Sequence, residues 1–233
     1  MAKPLSVLLI PGLNCSARLY AEQIPALWRF GPVQVADHTR ANSMDLIAAQ
    51  ILAAAPPRFA LAGLSMGGYL ALTIVRLAPE RVQKLALLDS SSRPETSAQS
   101  ERRKPQIALA ESGRFAEVPA LQFPWFVHRS RQGDEVLRAR VRRMAEETGA
   151  EVFLRQQQAI MTRPDARPLL PSIKCPTLVL VGDGDELTPP ALSEEIAAGV
   201  AGSRLVVIPE CGHLSTMEQP DAVNSALAEW MEG

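Results

Sequence analysis

The chain has 233 residues, 47% apolar and 21% charged, enough apolar content to bury a sizeable core. The 24 Lys and Arg against 25 Asp and Glu leave a formal charge of −1, which excludes a global pull toward nucleic acid or an anionic membrane. Apolar runs such as Leu5–Ile10 and Thr177–Val181 are far too short to span a bilayer, so no membrane insertion is expected. Cys15, Cys175 and Cys211 are odd in number and fit no metal spacing, which suits free thiols in a reducing cytoplasm.

Leu5–Ile10 predicts a strand that Met1-Ala-Lys-Pro4 enters directly, so no secretory leader is expected. The strand runs into a loop, Pro11-Gly-Leu-Asn14. Arg18–Phe30 predicts a helix interrupted near Pro25, and Val33–Asp37 a strand. Ser43–Ala55 reads as a helix with Ser43 as N-cap and Pro56-Pro57 as its stop. Arg58–Ala62 reads as a buried strand, Tyr69–Ala78 as a helix, and Val82–Leu88 as a strand ending at Asp89. From about 92 to 170 the chain is polar, arginine-rich and helical in texture. Alternation resumes with strand Cys175–Gly182, helix Pro190–Gly199, strand Arg204–Pro209 and helix Pro220–Met231. This order predicts an α/β fold: one domain over 1–233 built on a mainly parallel, doubly wound sheet. Residues 92–170 are expected as a helical cap over the sheet's carboxyl edge, where ligands bind in such sheets.

The chemistry sits at Gly63-Leu-Ser-Met-Gly67, between a predicted strand and a predicted helix. A serine between two glycines at such a turn is the G-x-S-x-G elbow. The backbones approach so closely that flanking side chains would collide, and the serine is held strained with its Oγ exposed at a helix N-terminus. A serine hydroxyl needs a base to take its proton, and the base needs an orienting carboxylate. In this architecture the order is Ser, acid, His. Of the three histidines, His38, His128 and His213, only His213 follows the resumed alternation, in the glycine-bearing loop Pro209–Leu214. The acid is expected after the penultimate strand, in Gly182-Asp-Gly-Asp-Glu186; Asp185 is far enough into that loop to reach across to the next, where His213 lies. Asp183 is its main rival and Asp89 a lesser one. Two backbone amides should hold the oxyanion: that of Met66, and one from Pro11–Asn14, best assigned to Leu13.

These residues together resemble the α/β-hydrolase superfamily, and within it the small carboxylesterase and 3-oxoadipate enol-lactonase-like hydrolases. The resemblance rests on Leu9-Ile-Pro-Gly-Leu13, Gly63–Gly68, Pro79–Val82 before Leu85–Leu88, Gly182–Asp185 with Thr188-Pro189, and Gly212-His213. It implies Ser65 as nucleophile, His213 as base and Asp185 as its orienting acid, with no metal or organic cofactor. Two departures bear on specificity. The oxyanion loop begins Pro11-Gly12 where the family usually has His-Gly, and Asp37–Ser43 replaces a glycine-rich loop. The expected reaction is hydrolysis of a carboxylic ester, thioester or lactone of a small substrate. The alternatives are enol-lactonase or carbon–carbon bond hydrolysis by the same triad, or a ligand-binding protein without turnover. The substrate is the only partner expected, and the chain a monomer or homodimer.

In the insertion, Leu121–Val127 reads as pocket roof or as the seam onto the core, with Trp125, Phe126 and Asn14 as candidate substrate contacts. Its many arginines, from Arg102-Arg103-Lys104 to Arg143, read first as a solvated face. The sharper alternative is that one or two hold a substrate carboxylate.

Overall fold

A computed structural model of the chain, describing residues 4–233, contains one six-stranded sheet in the order β2-β1-β3-β4-β5-β6. The expectation attached to residues 1–3 falls outside the described residues. The strands are β1 Ser6–Ile10, β2 Val33–Val35, β3 Phe59–Leu64, β4 Val82–Leu88, β5 Thr177–Gly182 and β6 Arg204–Ile208, and every neighbouring pair is parallel. The helices follow as α1 Gln23–Leu27, α2 Met44–Ala54, α3 Met66–Leu77, α4 Ser97–Glu111, α5 Val118–Phe126, α6 Glu135–Thr148 and α7 Ala150–Met161, then α8 Pro190–Gly199, α9 Ser215–Glu218 and α10 Pro220–Glu232. The chain winds outward from β1 to β2, then returns to lay β3 on the other side of β1. That reversal puts a crevice at the carboxyl ends of β1 and β3.

Strand residues alternate between two apolar layers, as a period of two requires. Val7, Leu9, Ala60, Ala62, Ala86, Leu88, Leu178 and Leu180 meet Leu27 of α1 and Val223, Leu227 and Trp230 of α10. Their alternates Leu8, Ile10, Leu61, Leu85, Leu87 and Val179 meet α2, α3 and α8. Burial on both faces is why the central strands read as unbroken apolar runs.

Some boundaries differ from expectation. Arg18–Phe30 is two 3-10 turns, Ala17–Tyr20 and Trp28–Phe30, flanking α1. Pro25 is accommodated inside α1 because the first-turn positions have no intrahelical N–H bond to lose. β3 continues to Leu64, so Ser65 is the first residue off the strand, and α3 starts at Met66 rather than Tyr69. Gly67 and Gly68 sit in its first turn, where close approach outweighs helix propensity. Ser43 caps α2 by accepting the Leu46 N–H. The single turn α9 was not expected.

Between β4 and β5 lie α4 to α7. α4 opens with a capping box in which the Thr96 side chain accepts the Gln99 N–H and the Gln99 side chain accepts the Thr96 N–H. Phe123, Phe126, Val127, Leu137, Val141 and Met144 of this insertion join the apolar layer shared with α1 and α10, so it packs onto the sheet's own core. Among the described residues no helix is long and apolar enough to cross a membrane.

Candidate active site

Ser65 has φ 55° and ψ −114°, a conformation non-glycine residues rarely adopt and one that costs about 1–3 kcal/mol. The two glycines beside it explain how the turn closes. A Cβ on Gly63 would lie 2.1 Å from the Gly67 carbonyl oxygen, and one on Gly67 would lie 2.0 Å from that of Ile10. The Ser65 N–H donates to Leu88 O at 2.9 Å, and Ser90 Oγ donates to Ser65 O at 2.9 Å, so the strain is over-determined by neighbouring strand ends.

The loops after β5 and β6 are pressed together. A Cβ on Gly182 would meet the carbonyl oxygens of both Cys211 and Gly212 at 2.3 Å. Asp183 Oδ1 accepts the Cys211 N–H at 3.2 Å, and the Gly184 N–H donates to Cys211 O at 2.9 Å. Asp183 therefore ties one loop to the other, while Asp185 meets the histidine. Asp185 is buried; its Oδ1 accepts the Leu187 and Thr188 N–H groups at 2.8 and 2.9 Å. Its Oδ2 accepts the Thr188 hydroxyl at 2.7 Å and His213 Nδ1–H at 2.8 Å. A carboxylate only accepts, so the His213 proton sits on Nδ1 and Nε2 is left to accept the Ser65 hydroxyl at 2.8 Å.

Burial would raise the Asp185 carboxyl, but the His213 charge and the His213 and Thr188 hydrogen bonds hold it below the usual carboxylate range. Burial would lower His213; the Asp185 charge and hydrogen bond, with smaller contributions from Asp89 and Glu218, raise it above the ordinary imidazole value. Asp89 is fully buried with φ 45°; it accepts the Gly182 N–H at 3.0 Å and the Ser215 hydroxyl. Burial, then repulsion from Asp185, pushes its carboxyl well above the carboxylate range. Asp89 braces strand ends beneath the site and has no hydrogen bond to His213.

The loop after β1 packs against the elbow: a Cβ on Gly12 would touch Ser65 Cβ at 3.5 Å. Among the described residues the amides of Leu13 and Met66 donate to no protein acceptor. Buried His38, beyond β2, braces this loop by bonding Gly12 O through Nε2 at 3.1 Å. Burial lowers its pKa, so the neutral ring donates. This brace carries no local sequence signal. The Tyr20 hydroxyl adds a second, donating to Ile10 O at 2.9 Å. Asn14, an expected substrate contact, is buried with φ 60° and lies outside the cavity lining. Its N–H donates to Gln156 Oε1 at 2.9 Å and its Nδ2 to Gln122 Oε1 at 3.0 Å, so it ties the loop to the insertion.

Above Ser65 and His213 is a cavity of about 340 Å³, at the small end of ligand sites. Leu13, Tyr69, Leu187 and Leu214 from the sheet side and Trp125 and Phe126 from α5 form its apolar wall. Phe126 also belongs to the packed seam, whereas Trp125 is 45% exposed. Cys15 lines the cavity too, but burial pushes its thiol up to about 12, which keeps it protonated and unreactive. Among the described residues no cluster of three or more potential ligands could hold a metal.

Glu218 of α9 gives no sign of itself in the sequence. Its carboxylate, buried among neighbours, accepts the His128 N–H at 2.8 Å and the Gly212 N–H at 3.0 Å, joining the insertion to the loop that carries His213. Alanine there would orphan two backbone donors, each worth roughly 1–3 kcal/mol when left unpaired. Glu218→Ala is expected to lower stability by about 3 kcal/mol in urea unfolding. A change under about 0.5 kcal/mol, the ordinary surface effect, would show that the carboxylate does not seat this junction.

A model of the alpha/beta hydrolase family matches residues 7–226. The chain is 27% identical over 244 aligned residues to the pimeloyl-[acyl-carrier protein] methyl ester esterase of Neisseria meningitidis serogroup B (strain MC58), spanning 97% of this chain and 93% of that protein. Among solved structures, a thermophilic esterase from Thermogutta terrifontis matches with TM-score 0.88 and 29% identity, over 100% of this chain and 91% of the esterase. The enol-lactonase from Burkholderia xenovorans LB400 matches with TM-score 0.89, over 100% of this chain and 93% of that one; at 22% identity it speaks for the fold alone.

Proposed function

The chain belongs to the alpha/beta hydrolase family, and from that premise we propose that it is a serine hydrolase cleaving carboxylic esters of small molecules through an acyl-enzyme on Ser65. The observation that carries this reading is the unbroken hydrogen-bond chain from Ser65 Oγ through the His213 ring to Asp185, 2.8 Å at each link. Esterase relatives aligned along nearly the whole chain support the substrate class.

Ser65 Oγ bonds to the ester carbon as its proton passes to His213 Nε2, and the carbonyl electrons move onto oxygen. The Leu13 and Met66 amides receive that oxyanion, which is where two unclaimed donors have most effect. Asp185 keeps the ring oriented and supports the imidazolium. Collapse of the oxyanion expels the alcohol's oxygen, which takes the proton from Nε2. Water then gives a proton to His213 and attacks the acyl carbon; Ser65 leaves with that proton and the acid is released. The helical insertion acts as the cap that limits substrate size and shields the reaction from bulk water. Thioesters and lactones present the same carbonyl chemistry to the same groups. The enzyme works in the reducing cytoplasm, where its three cysteines stay as thiols.

Only the neutral imidazole accepts the serine proton, so activity rises with pH through the His213 pKa. Because that pKa is raised, the ascending limb of kcat/KM for p-nitrophenyl acetate is expected to have its midpoint above about 6.5, falling roughly tenfold per pH unit below it. Hydrolysis that is absent across p-nitrophenyl esters, or independent of pH between 5 and 8, would overturn the proposal.

A further inference from the structure

The cavity has a second wall of opposite character. Gln99, Arg102, Arg103 and Gln106 of α4 all line the cavity; 99/102 and 103/106 are three apart and 99/103 and 102/106 four, so neighbouring turns of one helix face present them to the space above Ser65. Among the described residues no acidic side chain lines the cavity, and its full charges are the two arginines. They are not equivalent. Arg103 Nε donates to Glu95 at 2.6 Å and Nη1 to Gln157 at 3.0 Å; Glu95 is shared with buried Arg163. Arg102 has no ion pair among the described residues, in a segment where Arg103, Lys104, Arg114, Arg131, Arg138, Arg140, Arg142 and Arg143 all have one.

The amides beside it are committed in one sense only. Gln99 Oε1 accepts the Thr96 N–H at 2.9 Å, and Gln106 Oε1 accepts Gln122 Nε2 at 3.0 Å. Their NH2 groups are left to donate, as is the Arg102 guanidinium. A wall that offers donors and a single uncompensated positive charge complements a monoanionic acceptor. An aliphatic ester arm would leave those donors unanswered as water is displaced.

Resting on the serine-hydrolase reading, we propose that the preferred substrates are half-esters of dicarboxylic acids, whose free carboxylate is held by Arg102 with the Gln99 and Gln106 amides while Ser65 attacks the ester carbonyl at the other end. Arg102 is exposed to solvent and also lines the cavity, so its guanidinium is a specificity determinant at the cavity rim as well as part of the cap's solvated face.

The test compares mono-p-nitrophenyl adipate with p-nitrophenyl hexanoate, which differ only in a terminal carboxylate against a methyl group. Wild type is expected to favour the half-ester at least about tenfold in kcat/KM, chiefly through KM, the size of one charge-assisted hydrogen bond. Arg102→Gln should reduce that ratio by a similar factor. Arg129→Gln removes an arginine that is also without an ion pair among the described residues but lies outside the cavity, and should leave the ratio as in wild type. A wild-type preference for the hexanoate, or an equal loss in both variants, would overturn the proposal; the latter would mean a diffuse field rather than a built contact. If wild type hydrolyses neither ester, the hydrolase reading fails and the anion site is read by calorimetry. There the Ser65→Ala protein should bind monomethyl adipate at least about tenfold tighter than methyl hexanoate, a difference Arg102→Gln removes. No such difference would sink the anion site as well.

Discussion

Ser65→Ala is expected to lower kcat/KM for a p-nitrophenyl ester by about ten-thousandfold or more while the protein stays folded. The hydroxyl is the only atom removed, and it is the end of the hydrogen-bond chain that runs through His213 to Asp185. Alanine in place of serine leaves the Leu13 and Met66 amides free to polarise a carbonyl, so a residual rate above that in water should survive. An organophosphonate ester provides an independent reading, since it should add one covalent group to wild type, mapped by mass spectrometry to the peptide carrying Ser65, and none to the variant. Equal turnover by both proteins, or label on another residue, would remove Ser65 from the mechanism.

The second large effect is predicted at a residue that does no chemistry. A Cβ on Gly67 would sit 2.0 Å from the Ile10 carbonyl oxygen and 2.9 Å from that of Pro11. Both obstacles are backbone, so no side-chain rotation relieves the clash. Either the start of α3 lifts away from β1, or the Pro11–Asn14 loop moves. Gly67→Ala is therefore expected to lose about 3 kcal/mol of stability, the upper end of overpacking effects. It should also lose activity out of proportion to the fraction unfolded, because either displacement changes the gap between the Leu13 and Met66 amides. Misplacing one oxyanion donor costs up to about 10²–10³ in kcat. Gly133→Ala is the matched control: its added Cβ meets nothing within 4 Å, so stability should stay within about 0.5 kcal/mol of wild type. A Gly67→Ala protein with wild-type melting temperature and kcat would show that the elbow has room the geometry denies it.

Much of this was legible in the chain itself. The central strands were readable because burial on both faces turns a parallel strand into an apolar run ended by Gly or Pro. Ser65, Asp185 and His213 could be named because the elbow is a local pattern, the chain has three histidines, and the order of elements assigns one loop to each partner. Asp185 could be preferred over Asp183 only on reach; the structure separates them by what they bond, Asp185 taking His213 Nδ1 and Asp183 taking the Cys211 N–H. Helix starts were read less well. The first turn of α3 has Gly67 and Gly68, whose poor helix propensity is overridden by tertiary close packing.

The residues that escaped the sequence share one property: each has a partner far away in the chain. His38 reaches Gly12 across 26 positions and Glu218 reaches His128 across 90, and Asn14 bonds Gln122 and Gln156 instead of lining the cavity. No periodicity or local motif encodes such contacts. The arginines make the same point, since Arg102 and Arg103 are adjacent and chemically identical, yet one is neutralised by Glu95 and the other is not. The amino-acid order alone determined the sheet, the elbow and the identity of the three side chains proposed to react, because backbone sterics and hydrophobic periodicity act over a few residues. Which braces hold the Pro11–Asn14 loop, and which cation is left to face the cavity, was decided only when helices distant in sequence packed together, because a side chain's electrostatic role depends on the neighbours that packing supplies.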